Sequence, residues 1–158
     1  MTPRLALKDL QLSVRAASGA GVALALAELL GLEHPLYAMI AAVIVTDLSP
    51  LETRRLGLRR LVATVAGASC GAPLAAILGP GPLAAALSIL AAMLLSVLLR
   101  AQDGAKVAGY ICGIVVLYHG DDPWRYALFR SIETILGILV AMLISAIPKL
   151  LHAREPAP

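Results

Sequence analysis

The sequence predicts an all-α integral membrane protein of six transmembrane helices, built as two inverted three-helix repeats. Three observations lead there: an apolar composition, six apolar runs parted by charges and prolines, and a self-match at a shift of 70 positions. Residues of the set AVILMFWYC make up 59% of the 158, DEKR only 15%, and mean hydropathy is +0.86. Soluble domains carry about 45–50% apolar and about 25% charged residues. One small globule could not hide that much apolar surface, so the solvent it calls for is lipid. A soluble enzyme, a disordered tail and a secreted disulfide scaffold are excluded. Cys70 and Cys112 both sit in apolar stretches and read as small hydrophobes, not as a bridge or a metal site. The net charge of +3 suits arginines that anchor cytoplasmic loops better than a nucleic-acid surface.

A span needs about 17–25 mostly apolar residues. The first candidate runs from about Leu12 to Leu32, after the basic start Arg4 and Lys8. The second lies between Pro35 and Pro50, and the third between Leu56 and Leu78, where Gly79-Pro80-Gly81-Pro82 ends it. The fourth covers Leu83 to Leu99, the fifth Gly104 to His119, and the sixth Trp124 to Leu151. All connections are short, which implies one compact bundle. A single transmembrane domain therefore fills 1–158, with repeat one over about 10–79 and repeat two over about 83–150.

Basic residues set the orientation. With both termini cytoplasmic, the inside holds Arg4, Lys8, Arg15, Arg54, Arg55, Arg59, Arg60, Arg100, Lys106, Lys149 and Arg154. Of the 13 basic residues only Arg125 and Arg130 remain outside, a strong positive-inside bias that fits an even number of spans. Trp124, Tyr126 and Tyr118 would form an aromatic belt at the outer surface. The competing reading, a signal peptide cleaved at the A-x-A steps of residues 23–27, would put the arginine-rich loops outside, against that bias.

At the shift of 70, Arg60-x-x-x-Thr64-x-x-Gly67 falls on Arg130-x-x-x-Thr134-x-x-Gly137. Ile44-Val45 falls on Ile114-Val115, and Ala76-Ile77 on Ala146-Ile147. Spacings of 0, 4 and 7 put Arg, Thr and Gly on one helical face. Each half holds three crossings, so the halves insert in opposite senses, a recurring transporter architecture. The second and fifth spans are the shortest, about 16 residues each, and short spans at matching positions point to a transport site. Tilt or local bilayer thinning is the bland alternative.

At these residues the chain resembles the FUSC or aromatic acid exporter superfamily, which includes fusaric acid resistance proteins and the plant aluminium-activated malate channels. The features in common are the Gly31-Leu32-Glu33-His34-Pro35 turn and the Arg60-Leu61-Val62-Ala63-Thr64-Val65-Ala66-Gly67 stretch. The Asp103-Gly104 step and Arg130-Ser131-Ile132-Glu133-Thr134-Ile135-Leu136-Gly137-Ile138 match as well. Ala63 stands where the family usually has glycine, and Glu133 where it usually has aspartate. The resemblance implies a membrane transporter of organic anions, aromatic carboxylates among them. Family members commonly carry a large cytoplasmic region after the spans, so this chain is expected to be a minimal version without it.

The polar residues give the candidate pathway: Arg60, Arg130, Glu133, Thr64, Thr134, Asp47 and Lys106. Arg130 lies roughly 9 Å inside its helix at about 1.5 Å per residue, and such a group faces a cavity or a partner; the rival role is an i,i+3 pair with Glu133. Arg60 is its repeat mate, the two standing near opposite mouths, although a basic residue at a cytoplasmic helix end needs no functional explanation. Arg54, Arg55 and Arg59 read as topology signals that also draw anions to the inner mouth. Glu133 and Asp47 are counter-ions or proton carriers, and Thr64 and Thr134 satisfy a carbonyl one turn earlier. Lys106 and Arg15 line an entrance or snorkel to the interface. Gly67-x-x-x-Gly71 and Gly109-x-x-x-Gly113 serve helix packing.

No H-E-x-x-H, G-x-S-x-G or Walker glycine loop occurs, and His34, His119 and His152 fall in separate loops or ends. Neither an enzyme, a metal, a cofactor nor a nucleic-acid partner is expected. The expected protein is an inner-membrane homodimer, twelve helices in all, moving organic anions past Arg60 and Arg130. The alternative of another class is an assembly subunit, inert alone, completed by a separate soluble partner.

Overall fold

The structure, a computed structural model, describes residues 7–99, 102–118 and 122–147. Six α-helices follow in order: α1 Leu7–Leu29, α2 Leu36–Val45, α3 Pro50–Leu78, α4 Pro82–Leu98, α5 Ala105–Tyr118 and α6 Pro123–Ala146, with a short 3-10 turn Gln102–Gly104 before α5. Among the described residues there is no strand. Helices α1, α3 and α6 are each long and apolar enough to cross a membrane. Arg4, Arg100, His119, Asp121, Lys149, His152 and Arg154, to which the sequence assigns a side or an end, lie outside the described residues.

Two boundaries differ from expectation in ways that matter. Pro50 does not close the second span; it opens the third. Ser49 is the N-cap, its hydroxyl accepting the Glu52 N–H at 3.5 Å, and Pro50 stands at the first helical position, where its missing N–H costs nothing. Helix α3 thus starts well before Leu56, and Arg60 lies about three turns inside it instead of at its end. Helix α2 shrinks accordingly to 10 residues, about 15 Å of rise, while α5 has 14. Neither reaches the length of about 17 residues that a span needs. Both short helices lie beside long ones.

Helices α3 and α6 pack on each other in the middle of the bundle. Helix α5 packs against α3 and α4, and α2 against α6 and α1; α1 also touches α6, and α4 touches α3. The seams are made of very small residues. Ala23, Ala27, Ala38, Ala42, Val45 and Ala141 form the core where α1, α2 and α6 meet. Gly67 lies directly on the Ala108 backbone of α5, and Gly137 on the Ala38 backbone of α2. Such residues let backbones approach closely, which is what holds helices together where lipid removes the hydrophobic drive. Gly71 packs on Val115, while Gly109 and Gly113 pack on Met93 and Ile89 of α4. The four glycines expected to serve packing, Gly67, Gly71, Gly109 and Gly113, therefore close contacts within one chain.

Candidate functional site

Arg60 on α3 and Arg130 on α6 are buried at 4% and 1% exposure, and both point to one atom. An Nη2–H of each guanidinium donates to the Tyr110 hydroxyl on α5, Arg130 at 3.4 Å and Arg60 more closely. The pair expected near opposite mouths thus meets at a single hydroxyl, because the early start of α3 draws Arg60 inward to where α3 crosses α6. Thr64 and Thr134 donate to the carbonyls of Arg60 and Arg130, at 2.9 and 2.8 Å, the local role expected of them.

The guanidinium of Arg130 also lies over an aromatic face, its Cζ 3.4 Å from the centre of the Tyr37 ring. Tyr37 stands 6.3 Å from Tyr126 and 5.7 Å from His34, ring centre to ring centre, and His34 stands 5.6 Å from Tyr126. A cation over a ring gains from the ring's negative face, so this cluster holds Arg130 without neutralising it. Glu133 does not pair with Arg130: the ion pairs among the described residues are Arg55–Glu52, Arg59–Asp103 and Arg125–Glu33. Instead Glu133 Oε1 accepts the His34 N–H at 2.7 Å, tying the chain just before α2 to α6. Donors are left over. Arg60 Nε, Arg130 Nε and Arg130 Nη1 are buried without a hydrogen-bond partner among the described residues, as is Glu133 Oε2.

The other predicted residues lie elsewhere. Asp47 is a turn residue between α2 and α3, its Oδ1 accepting the Ser49 N–H at 2.9 Å and its own N–H donating to Thr53 Oγ1 at 2.9 Å. Lys106 is exposed on the first turn of α5. Arg15 neither snorkels nor lines an entrance; it is buried, donating to the carbonyls of Leu48 at 2.9 Å and Ile147 at 2.7 Å. Its charge staples the end of α6 to the α2–α3 link. Tyr126 is 2% exposed inside the aromatic cluster, not in a surface belt, whereas Tyr118 and Trp124 are exposed as a belt requires. Sequence reading missed Tyr37, Tyr110 and Tyr126 as neighbours of the arginines, since single tyrosines on different helices leave no periodic trace. Tyr110 alone had a local clue, one turn after Lys106.

Buried arginines on long apolar helices, one of them over an aromatic ring, mark a helical membrane protein. The family described as fusaric acid resistance protein-like matches residues 22–144, and the chain belongs to that family. It is also similar to the UPF0421 protein YgaE of Bacillus subtilis (strain 168), at 25% identity over 126 residues, 80% of this chain and 36% of that protein. The chain thus spans little more than a third of the length of that relative. No solved structure matches it.

Proposed function

We infer that this protein moves organic anions across the membrane, with carboxylates held between Arg60 and Arg130. One observation carries the reading: two buried guanidiniums share one hydroxyl and keep three nitrogens unpartnered among the described residues. Buried charges are costly unless compensated. A carboxylate between them would supply the missing charge and accept the spare donors, in the forked geometry that arginine favours. Tyr37 and Tyr110 beside it offer ring faces to an aromatic acid.

An inverted repeat supports transport over mere binding. The contact of Gly67 with the Ala108 carbonyl has its counterpart, 70 positions on, in the contact of Gly137 with the Ala38 carbonyl. The helix contacts pair off likewise, α3 with α5 as α6 with α2, and α4 with α5 as α1 with α2. Two halves related in this way can expose one central site to either side in turn. The reading includes a homodimer in the inner membrane with both termini cytoplasmic; Tyr110, 38% exposed, would bring the site within reach of a second copy. Purified protein in liposomes should pass benzoate or a related aromatic carboxylate. No flux, together with a co-purifying partner, would favour the inert assembly subunit instead.

A further inference from the structure

The Asp103-Gly104 step does a defined piece of work. Gly104 is buried, and a Cβ there would lie 2.6 Å from the Ala63 Cβ and 3.4 Å from the Arg59 carbonyl oxygen. Glycine therefore lets the chain before α5 lie directly on α3. From that seat Asp103 Oδ2 reaches Arg59 Nη1 at 2.9 Å, with the two side chains 66% and 39% exposed. The same three residues line a cavity of about 120 Å³ with Ile44, Leu56, Arg60 and Val107. That volume approaches the roughly 150 Å³ of a protein cavity that accepts benzene. Its wall thus grades from an exposed ion pair at the rim to buried Arg60, whose Nε lacks a partner.

We propose that this cavity is an entry site for the carboxylate, with Arg59 its first cationic contact and Asp103 a tethered carboxylate that occupies Arg59 until the anion arrives. The proposal rests on the reading of Arg60 and Arg130 as anion contacts. An exposed ion pair contributes little stability, about 0–1 kcal/mol, so a carboxylate from solution exchanges for Asp103 at small cost. The anion then passes from Arg59 to its chain neighbour Arg60 without standing unpaired in the membrane. Asp103 returns to Arg59 behind it and repels a second anion. A related arrangement occurs 70 positions earlier, where Glu33, ahead of α2, pairs with Arg125 of α6 at 2.5 Å.

The test is a thiol-accessibility measurement that does not depend on flux. Val107→Cys is placed in protein carrying Cys70→Ser and Cys112→Ala, reconstituted in liposomes, and labelled with an anionic methanethiosulfonate. Leu56→Cys on the facing wall serves if the first variant does not elute as wild type does. Asp103→Asn should speed labelling about fivefold, as loss of a weak ion pair allows, and benzoate should slow it. The exchange Arg59→Asp with Asp103→Arg should restore the original rate. If labelling stays within about twofold in Asp103→Asn, or benzoate gives no protection, the entry site is wrong. Should flux nevertheless depend on Arg130, the wider reading survives that failure. Should the cavity respond as proposed while the wild type carries no flux, the entry site binds anions and the transport reading falls.

Discussion

Adding a single methyl group at Gly67 should push α3 and α5 apart, because backbone stands where the group would go. A Cβ there would lie 2.8 Å from the Ala108 Cα and 3.0 Å from its carbonyl carbon, and closer still to the oxygen. Carbon atoms rest comfortably at about 3.5–4.0 Å, so the helices would have to separate by roughly 0.5–1 Å. Overpacking of this kind costs about 1–3 kcal/mol, and the helix propensity gained from glycine to alanine offsets about 1 kcal/mol. Gly67→Ala should therefore lose up to about 2 kcal/mol net, or up to roughly 8 °C of Tm at this chain length. Gly137→Ala should behave the same, since its Cβ would lie 2.8 Å from the Ala41 Cβ and 3.0 Å from the Ala42 nitrogen. Gly113→Ala meets only the end of Ile89, at 3.1 Å, a flexible group that can turn away, and should be near neutral. Gly21→Ala meets nothing within 4 Å and should gain up to about 1 kcal/mol. The assay is the fraction of detergent-purified protein that still elutes as a single peak after heating. Equal stability in Gly67→Ala and Gly21→Ala would refute the close contact of α3 with α5.

Three further outcomes follow from named contacts. Glu133→Gln keeps an oxygen for the His34 N–H and should hold its fold, whereas Glu133→Ala removes that acceptor and should cost about 1–3 kcal/mol in the same heating assay. Arg15→Met strips the carbonyls of Leu48 and Ile147 of their donors and should lower the transition by at least about 2 °C, with anion flux retained in protein that folds; lost flux with unchanged stability would contradict a purely structural role. Cysteines at Glu52 and Asp122 should label from opposite sides of the membrane, Glu52 from the inside; labelling from one side would end the proposed topology.

How far the sequence could be read depends on whether a feature is local or not. Apolar runs and turn residues are local, and they mark all six helices. The Arg-Thr-Gly spacing marks a face on α3 and another on α6, and Thr64, Thr134, Gly67 and Gly137 then do what that spacing suggests. The start of α3 was also legible, since Ser49-Pro50-Leu51-Glu52 carries a capping serine, a proline at the first position and a glutamate two residues on. The charges of Glu52, Arg54 and Arg55 masked it as a loop. Partnerships across helices had no such trace. Nothing local says that Glu133 binds the backbone of His34 instead of Arg130, or that Arg15 bridges Leu48 and Ile147. The meeting of both arginines at Tyr110 arises only when α5 lies along α3 beside α6.

The most direct test of the central claim is the benzoate flux of Arg130→Ala and Arg130→Lys in liposomes, each shown first to elute as wild type does. That control is needed because removing one member of a buried charged cluster can cost about 3–5 kcal/mol. Lysine keeps the charge but not the fork or the planar group that lies over Tyr37. Flux should therefore collapse in Arg130→Ala and return only in part in Arg130→Lys, with Arg60→Ala behaving like Arg130→Ala. Wild-type flux through well-folded Arg130→Ala would show that Arg130 is structural and that the anion path proposed through the arginine pair is wrong.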